Sequence, residues 1–451
     1  MKRHHWGPEM AHSTGLFSLL AGILVAALSP VSLSATTYYV APPPTGGDSN
    51  PGTLGSPWVT LQHAAGVIQP GDTVLLRAGS FAGAHFTTSG TVALPITVKA
   101  FPGETVEIDD DNPHTPDGIN LEGASHFVVE GLHINGRTRA GIRAVLCENV
   151  VLRGNRLDGN GRWGIFTGFC DDLLIESNHT SNSGDEHGIY VSNSGDRPTI
   201  RGNRIWDNRA NGIHMNGDAS QGGDGIISEA VVENNTIYGN GLGGGSGINM
   251  DGVQSSIIRN NLLFDNHASG ISLYRIDGGA ASTGNHVYNN TVIVADDGRW
   301  ALNIKNSSTD NRVRNNVFYN YHSFRGSVSV TADSLAGFSS DHNVVMDRFT
   351  VDDGDTVLSL AEWRAQTGHD QDSLRSSPAA LFIDPGGDFH LREGSPALDN
   401  GETLTQVLTD LEGTPRPLGP AFDIGAYEGL GVIFVDGVES GDTRRWTLTI
   451  P

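Results

Sequence analysis

A five-residue phrase recurs along this chain and constrains its fold more than any other feature. It reads GIYVS at 188–192, GIHMN at 212–216, GINMD at 247–251, GISLY at 270–274 and ALNIK at 301–305. A second repeated motif places an asparagine every 23 to 32 residues, at Asn155, Asn178, Asn203, Asn235, Asn261, Asn290 and Asn316. A period of about 25 residues with variable insertions is typical of a solenoid, in which each repeat forms one coil.

Each repeat contains short strands, because its apolar residues alternate with polar ones. Two or three such strands, closed by turns within about 25 residues, make one coil of a parallel β-helix. The 59 glycines and the aromatic content of 7% fit many tight turns and argue against a helical bundle. Asparagine suits the repeated turn, because it tolerates the left-handed backbone conformation and because stacked amides hydrogen-bond along the axis.

The two ends of the chain carry further signals. Residues 36–81 read as a strand, a Gly/Pro loop, the amphipathic helix WVTLQHAAGVI and the phrase PGDTV, and residues 395–401 and 423–429 read SPALDNG and DIGAYEG. Together with the repeats, these segments resemble the pectate-lyase-like superfamily of right-handed parallel β-helix proteins. The resemblance implies an all-β solenoid with a short N-terminal capping helix and a C-terminal cap, which protect the strand edges at its ends.

The order of these signals divides the chain into five segments. Residues 1–35 combine a basic start, a short apolar run and small residues before Ala35, the pattern of a secretory signal peptide. Residues 36–110 are expected to form the N-terminal cap and first coils, 111–350 the central β-helix, and 351–430 the C-terminal coils and cap. Residues 431–451 are expected to form a C-terminal tail, in which FVDGVESGDTRRWT at 434–447 resembles a tail found on exported bacterial proteins.

These segments and the charge predict where the protein works and with what. We expect a monomer that is secreted, periplasmic or held at the cell surface, with no membrane span after signal cleavage. The formal net charge of −23, with no basic block, argues against nucleic acid as a partner.

Strand alternation decides which residues of the recurring phrase reach the surface. The second and fourth residues point inward, and the third and fifth then point outward. Coils stacked about 4.8 Å apart align like positions in columns. The third-position column reads Asn120, Arg143, Phe166, Tyr190, His214, Asn249, Ser272 and Asn303. The fifth-position column reads Glu122, Val145, Gly168, Ser192, Asn216, Asp251, Tyr274 and Lys305.

The outward face of the middle coils gathers His, Tyr, Asn, Asp, Arg and Lys side chains. Insertions at 217–229, 239–246 and 275–284 flank this face, and such loops on a regular scaffold are typical walls of a binding groove. We predict a carbohydrate groove. Its substrate-binding residues are predicted to be His187, Asn216, Asn249, Asn303, Trp163 and Trp300. The superfamily resemblance implies that the partner is a polysaccharide, often an acidic one.

Cleavage of a uronate chain by β-elimination requires a base, a proton donor and a cation beside the carboxylate. The columns supply candidates for each role. His214 or Lys305 is the predicted base, and Tyr190 or Tyr274 is the predicted proton donor. Arg275 is predicted to hold the carboxylate. The main functional prediction is therefore a polysaccharide lyase.

Calcium is the one cofactor that the pattern suggests. Asp251, with Asn216 and Asn249 from neighbouring positions, offers the oxygen ligands that Ca²⁺ prefers. The spacing of histidines and cysteines does not match a zinc site.

Other functions remain open at this point. A uronate epimerase shares the first step, but the acidic-Pro-His-acidic motif that the resemblance predicts for it lacks its proline in GDEHGIY at 184–190. A glycoside hydrolase needs carboxylates about 5–9.5 Å apart. The columns offer Glu122 and Asp251, roughly 24 Å apart, unless Asp218 or Asp224 approaches Asp251 from a loop. A non-catalytic carbohydrate-binding or adhesion protein would use the same groove.

The chain has two cysteines, Cys147 and Cys170, which end the equivalent phrases GIRAVLC and GIFTGFC and lie 23 residues apart. Residues stacked at roughly 4.8 Å fall within the Cα separation of about 4.4–6.8 Å that a disulfide allows. An exported protein permits the bond. The sequence therefore predicts a disulfide between neighbouring coils.

Overall fold

The computed structural model describes residues 35–429. The signal peptide predicted for residues 1–35, apart from Ala35, and the predicted tail at 431–451 lie outside the described residues. Over the described range the chain winds into a right-handed parallel β-helix, and its coils form two sheets of 12 strands and one of 11 strands. The predicted fold class is confirmed.

We call the sheet of 11 strands the groove sheet, because it carries the predicted groove. Its strands are Ala84–Phe86, Ile119–Glu122, Ala140–Glu148, Trp163–Asp171, Ile189–Ser192, Ile213–Asn216, Ser246–Asp251, Ser269–Tyr274, Leu302–Ile304, Val328–Val330 and Phe349–Thr350.

The other two large sheets flank it. The strands of the first flanking sheet are Thr37–Val40, Thr73–Leu76, Ile96–Ala100, Phe127–Glu130, Val150–Arg153, Leu174–Glu176, Thr199–Arg201, Val231–Glu233, Ile257–Arg259, His286–Tyr288, Arg312–Arg314 and Ser339–Asp341. Those of the second are Gly79–Ala82, Val106–Asp110, His133–Asn135, Arg156–Asp158, His179–Ser181, Arg204–Trp206, Thr236–Tyr238, Leu262–Asn266, Thr291–Val294, Val317–Asn320, Val344–Val345 and Leu374–Arg375.

The remaining elements are short. Two small sheets pair Ile227–Ser228 with Val253–Gln254 and Phe382–Asp384 with Asp388–Leu391. The α-helices are Leu61–Ala65, Leu360–Thr367 and Pro378–Leu381, and the 3-10 helices are Ala219–Gln221 and Ala332–Ser334. No helix within residues 35–429 has the length and apolar character to cross a membrane.

The interior of the β-helix consists of stacked aliphatic side chains. Ile189 pairs with Ile213 and Val191 with Met215 in the neighbouring coil, and all four are at most 1% exposed. These are the second and fourth residues of the recurring phrase. The alternation therefore predicted the inward positions correctly, and burial of each column removes apolar surface from water along the whole stack.

The repeated asparagines form a continuous ladder at one turn of the coil. Each amide nitrogen donates to the side-chain oxygen of the next asparagine, as from Asn203 to Asn235 at 3.0 Å and from Asn235 to Asn261 at 2.9 Å. The predicted hydrogen bonding along the axis is confirmed. The left-handed residue of the turn is the one that precedes each ladder asparagine, for example Asn234 with φ 55° and Asn260 with φ 52°. The ladder asparagine thus makes the hydrogen bonds along the axis, and the residue before it adopts the left-handed conformation.

Replacement of Asn235 by alanine is expected to destabilise the fold by at least about 1–3 kcal/mol, the cost of leaving buried polar partners unpaired. Asn235 is fully buried and also donates to the Ile200 carbonyl at 2.9 Å. Urea unfolding at constant pH measures the loss. Asn400→Ala is the control, because this exposed amide bonds nearby carbonyls. Equal stability of the two variants would contradict the ladder's role.

Cys147 and Cys170 lie opposite each other in adjacent strands of the groove sheet. A disulfide bond joins them, with a Cα–Cα distance of 4.6 Å. The bond links two coils that the parallel pairing already holds together, so it adds a covalent restraint at the early end of the groove sheet.

Both ends of the solenoid are covered. At the N-terminal end, helix Leu61–Ala65 buries Leu61, Ala64 and Ala65, and the Thr60 side chain caps its first turn. This is the predicted capping helix. At the other end, helix Leu360–Thr367 buries Trp363, whose ring stacks on Phe349 of the last groove-sheet strand. The chain that follows folds back on the flanking sheets. Tyr427 and Phe389 pack with Val317 of the second flanking sheet, and Phe422 packs with Tyr288 of the first.

Candidate functional site

The outer face of the groove sheet carries the predicted columns in register. The third-position column runs through paired residues His85, Asn120, Arg143, Phe166, Tyr190, His214, Asn249, Ser272, Asn303, Ser329 and Thr350. The fifth-position column pairs Ser192, Asn216, Asp251 and Tyr274 in the same way. Lys305 follows directly after strand Leu302–Ile304, and its N–H donates to the Leu273 carbonyl at 3.0 Å. The alignment of the columns is confirmed.

The predicted site residues differ in how far they reach solvent. Arg275 is exposed, whereas Tyr190, His214, Tyr274, Asn303 and Lys305 are half-buried. The buried members are His187, Asn216, Asn249 and Asp251, each at most 7% exposed. The accessible floor of the groove therefore consists of these five half-buried residues, although His214 Nε2 and Asn303 Oδ1 are themselves shielded from solvent.

Two histidines and a tyrosine form a compact cluster in the middle coils. The rings of Tyr190 and His214 stack with centroids 4.8 Å apart and an interplanar angle of 8°. His187 Nε2 lies 3.0 Å from His214 Nδ1. Asn216 Nδ2 donates to the Tyr190 hydroxyl at 3.2 Å. The strand register brings these residues together from positions 187, 190, 214 and 216.

Burial sets the protonation of this cluster. It lowers the pKa of His214 to about 4, and it lowers the pKa of His187 well below the usual range, assisted by the neighbouring His214 and Arg162. Both imidazoles are therefore neutral at pH 7. Burial also raises the pKa of the Tyr190 phenol, so this group keeps its proton at neutral pH.

A second pair lies further along the stack. Tyr274 ends its strand in one coil, and Lys305 follows the strand of the next coil, one step of about 4.8 Å away along the axis. Burial, followed by the charge of Asp251, raises the pKa of the Tyr274 phenol, which therefore stays protonated. Lys305 Nζ lies 3.9 Å from Asp353 Oδ2. Arg275, next to Tyr274, donates from Nε to the Gly278 carbonyl at 3.2 Å.

Asp251 holds a loop in place. Its Oδ1 accepts the N–H groups of Ile276 and Gly278 at 2.9 and 3.0 Å, and its Oδ2 accepts the Asp277 N–H at 2.9 Å. This corrects the prediction that Asp251 is a metal ligand, because the carboxylate is already occupied by three backbone amides. Within residues 35–429, the His, Cys, Asp and Glu side chains that cluster in a group of three or more at metal-binding distance are those of Asp341, His342 and Asp372, outside the groove sheet.

The side-chain oxygens of the other two predicted Ca²⁺ ligands, Asn216 and Asn249, are also poorly suited to bind a cation. Asn216 Oδ1 accepts the Asp218 N–H at 3.4 Å, and Asn216 Nδ2 bonds Tyr190. Asn249 Oδ1 is shielded and has no hydrogen-bond partner within the described residues. One unengaged amide oxygen does not make a preformed Ca²⁺ site, which takes six to eight oxygen ligands.

The predicted wall loops lie on opposite edges of the groove sheet. Loops 217–229 and 275–284 follow its strands and bond each other, through Ala219 N–H to the Asp277 carbonyl at 3.0 Å and Gly279 N–H to the Gly225 carbonyl at 2.7 Å. Loop 239–246 precedes strand Ser246–Asp251 and therefore lies at the other edge. Asp218 and Asp224 cap turns in their own loop, where they accept the N–H groups of Ser220 and Ile226.

With this geometry in hand, comparison with known proteins identifies the family. A family model described as the Pel9A-like right-handed beta helix region matches residues 38–311. This chain belongs to that family. The match covers the N-terminal cap and the coils that carry Tyr190, His214, Tyr274 and Lys305.

Individual relatives of this Pel9A-like chain are distant. Pectate lyase PEL9 of Emericella nidulans is 36% identical over 95 residues, which are 20% of this chain and 22% of that protein. The chain thus matches less than a quarter of that relative's length. A solved structure of pectate lyase Pel9A has a TM-score of 0.58 at 16% identity, covering 88% of this chain and 98% of that one. The complex of XylC with xylose has a TM-score of 0.51 at 12% identity, covering 87% and 99%. At these identities the two structures show a shared fold.

Sequence reasoning missed one member of the Pel9A-like groove, Glu186. Its Oε2 accepts from Trp163 Nε1 at 2.7 Å, and its Oε1 accepts from Arg162, whose guanidinium lies 4.5 Å from the indole centroid. Trp163 is thereby covered and only 7% exposed. Glu186 could have been found as the acidic residue directly before His187, but it lies outside the column pattern.

The predicted sugar-binding role of both indoles is corrected by their burial. Trp300 is 5% exposed, and the Gly354 backbone of a following loop packs near its ring. A ring stacks on a sugar through an open face, and neither indole offers one. Asn303 remains in the third-position column, half-buried, and its Oδ1 is shielded without a partner within the described residues.

Replacement of Asp251 by asparagine is expected to loosen loop 275–284 of this Pel9A-like chain and to lower stability by about 1.5–3 kcal/mol, the range for hydrogen bonds to a charged group. Thermal unfolding and the rate of proteolysis within the loop measure the effect. The matched control is Asp224→Asn, an exposed carboxylate with one backbone partner at 2.9 Å. If both variants behave alike, Asp251 does not hold the loop.

Proposed function

We propose that this chain is an exported lyase that cleaves a uronate-containing polysaccharide by β-elimination. The observation that carries the proposal is the placement of Tyr274 and Lys305 in adjacent coils on the accessible floor of the groove, with Arg275 beside them. A protonated phenol, an amine and a guanidinium are the proton donor, base and carboxylate partner that the reaction needs. Membership in the Pel9A-like family and the match to a protein named pectate lyase support the same class.

The reaction follows from these groups. Lys305, in its neutral amine form, takes the C–H proton next to the uronate carboxylate, and the electron pair of that bond forms a carbon–carbon double bond. The bond from the adjacent carbon to the glycosidic oxygen breaks, and this oxygen takes a proton from Tyr274. Arg275 neutralises the carboxylate, which makes the C–H group more acidic. His214 is the second candidate base, in the pair with Tyr190.

Charges along the groove decide what must neutralise the substrate carboxylate. Lys305 and Arg275 lie in the later coils. In the earlier coils the phenol of Tyr190 experiences the negative charges of Glu186, Asp218 and Asp277, which help to raise its pKa after burial. Negative charges also act on the later coils, where, after burial, Asp251 and Asp277 raise the pKa of Tyr274, so neutralising a substrate carboxylate there depends on the Arg275 guanidinium. The Ca²⁺ requirement stays a prediction.

One experiment separates the candidate functions. Secreted protein is incubated with pectate, alginate and a glycosaminoglycan, with and without Ca²⁺, and products are followed by ultraviolet absorbance and by reducing ends. A lyase gives both signals together. A hydrolase gives reducing ends without absorbance, an epimerase changes the sugar composition of intact chains, and a binding protein retains polymer without product. Any of the last three results would overturn the proposal.

A further inference from the structure

Fixed donors determine where the proton of His187 lies. The backbone N–H of Asn211 lies 3.2 Å from His187 Nδ1, and so does Asn211 Nδ2. The orientation of that amide is set by its oxygen, which accepts the Ser246 N–H at 2.6 Å. Both groups of Asn211 therefore donate to Nδ1, which must be unprotonated to accept them.

The proton of His187 is then on Nε2, and it has one partner within reach. His214 Nδ1 lies 3.0 Å away, whereas Glu186 Oε2 is at 3.6 Å and already accepts from Trp163. His187 therefore donates to His214 Nδ1. A neutral imidazole that accepts at Nδ1 carries its own proton on Nε2. The lowered pKa values of both histidines are consistent with neutral rings.

The proton on His214 Nε2 has no acceptor within residues 35–429, and the nitrogen is shielded from solvent. In the next coil, Asn249 pairs in register with His214. Asn249 is 6% exposed, and its Oδ1 also has no partner among the described residues. Buried polar atoms are nearly always hydrogen-bonded, so a free donor and a free acceptor in neighbouring column positions indicate a ligand.

The combination of donor and acceptor selects the chemistry of that ligand. A hydroxyl group accepts one hydrogen bond and donates another, so it satisfies both atoms at once. A carboxylate only accepts, and its oxygen would face the lone pairs of Asn249 Oδ1. We propose that His187 is a positioning residue that fixes His214 as an Nε2–H donor, and that this donor and Asn249 Oδ1 together hold one hydroxyl of a sugar.

The two parts of this inference depend on different assumptions. The hydroxyl-binding part rests on the proposed function, while the proton position rests on the hydrogen bonds alone. If His214 is a donor, the base role among the two candidates falls to Lys305, three coils further along the column. A polymer then presents a hydroxyl to the earlier coils and its carboxylate to the later ones.

Nuclear magnetic resonance tests the proton position. Long-range proton–nitrogen spectra of protein labelled with ¹⁵N-histidine distinguish the neutral tautomers, and the spectra of His187→Gln and His214→Gln variants assign the signals. We expect a protonated Nε2 and an unprotonated Nδ1 on His214, unchanged between pH 5 and pH 8. In His187→Phe, which removes the donor, a mixture of tautomers should appear. A proton on His214 Nδ1, or titration near pH 6.5, would overturn the inference.

Kinetics on whichever polymer the panel identifies tests the hydroxyl-binding part. Glutamine keeps an N–H donor at the position of Nε2 but cannot act as a base, so His214→Gln should keep kcat within about tenfold, and His214→Phe should raise KM at least about tenfold. Asn249→Ser, which places at 249 the residue that column neighbour Ser272 already has, should raise KM and leave the His214 spectrum unchanged. A base role instead predicts that glutamine and phenylalanine both lower kcat by about 10²–10⁴-fold.

The magnetic resonance and kinetic experiments together distinguish failure of the proposed function from failure of each part of this inference. If no polymer in the panel is cleaved but the spectra show the Nε2–H tautomer, the proposed function fails and the tautomer part stands. If the polymer is cleaved and His214→Gln loses kcat as His214→Phe does, the hydroxyl-binding part is wrong and the lyase proposal stands. Thermal unfolding of each variant checks that it folds. Should His214→Phe unfold, the comparison of Asn249→Ser with His214→Gln still decides.

Discussion

Replacement of Arg416 by methionine is expected to destabilise the protein by about 3–5 kcal/mol at pH 8, the cost of leaving a buried charge without its partner. Arg416 and Glu428 form an ion pair at 2.6 Å with both side chains fully buried. Arg416 also donates to the carbonyls of Asp423 and Gly425 at 3.1 and 2.8 Å. The pair therefore joins residues 416 and 428 within the C-terminal segment that packs on the flanking sheets.

The loss of stability in Arg416→Met should be larger at high pH than at low pH. Burial raises the pKa of Glu428 from 4.5 to about 7. The folded state then binds this proton more tightly than the unfolded state, so stability falls as pH rises from about 4.5 to about 7. Methionine at 416 removes the positive charge that opposes this rise. Arg416→Met should therefore be much less destabilised at pH 5, where Glu428 is protonated, than at pH 8.

Chemical unfolding at pH 5 and pH 8 measures both effects. A double variant, Arg416→Met with Glu428→Met, should regain most of the stability, because it removes the unpaired charge. Arg375→Met is the control, since that arginine is 67% exposed and pairs with Asp347 at the surface, where an ion pair contributes about 0–1 kcal/mol. A loss independent of pH would argue that lost packing, not an unpaired charge, explains the effect.

Replacement of Lys305 by methionine is expected to lower kcat by about 10²–10⁴-fold, the usual contribution of a general base. Methionine keeps most of the length and apolar volume of the side chain and removes the amine. KM should change less, because Arg275 still binds the carboxylate. Tyr274→Phe should lower kcat in the same range if the phenol protonates the leaving oxygen.

The matched control for Lys305 is Lys99→Met. These are the two lysines within residues 35–429, and Lys99 lies in strand Ile96–Ala100 of the first flanking sheet. The control should retain full activity on the same polymer. Initial rates over a range of pH give kcat and KM for all three variants. Unchanged kcat in Lys305→Met would remove lysine from the mechanism and return the base role to another group.

The fold could be predicted in detail because a solenoid repeats its pattern. The spacing of Asn155 through Asn316 predicted the ladder, and the recurring phrase predicted both columns in register. A second ladder was missed. Its asparagines are Asn208, Asn240 and Asn266, whose amide nitrogens donate along the axis at 2.9 and 3.0 Å. Ser183 occupies the equivalent position between Asn160 and Asn208. This serine interrupts the series of asparagines, so the repeat is hard to recognise from one sequence.

The parts of the site that were mispredicted depend on contacts that a column does not contain. Trp163 looked available for a sugar, but Glu186 from the next coil and Arg162 cover its ring. Asp251 looked like a cation ligand, but its loop turns back and presents three amides to it. Alternation predicts which way a side chain points. The neighbouring loops decide what it meets there.

The coil spacing also limits how the groove can change between related proteins. Every coil adds one place to each column, so gain or loss of a whole coil between His214 and Tyr274 moves the Tyr190–His214 pair and the Tyr274–Lys305 pair apart or together by one step of about 4.8 Å. A shift along the axis of less than one coil would break the asparagine ladder at the turn. Recognition of longer or shorter polymer segments should therefore evolve in discrete increments, through duplication or deletion of entire windings.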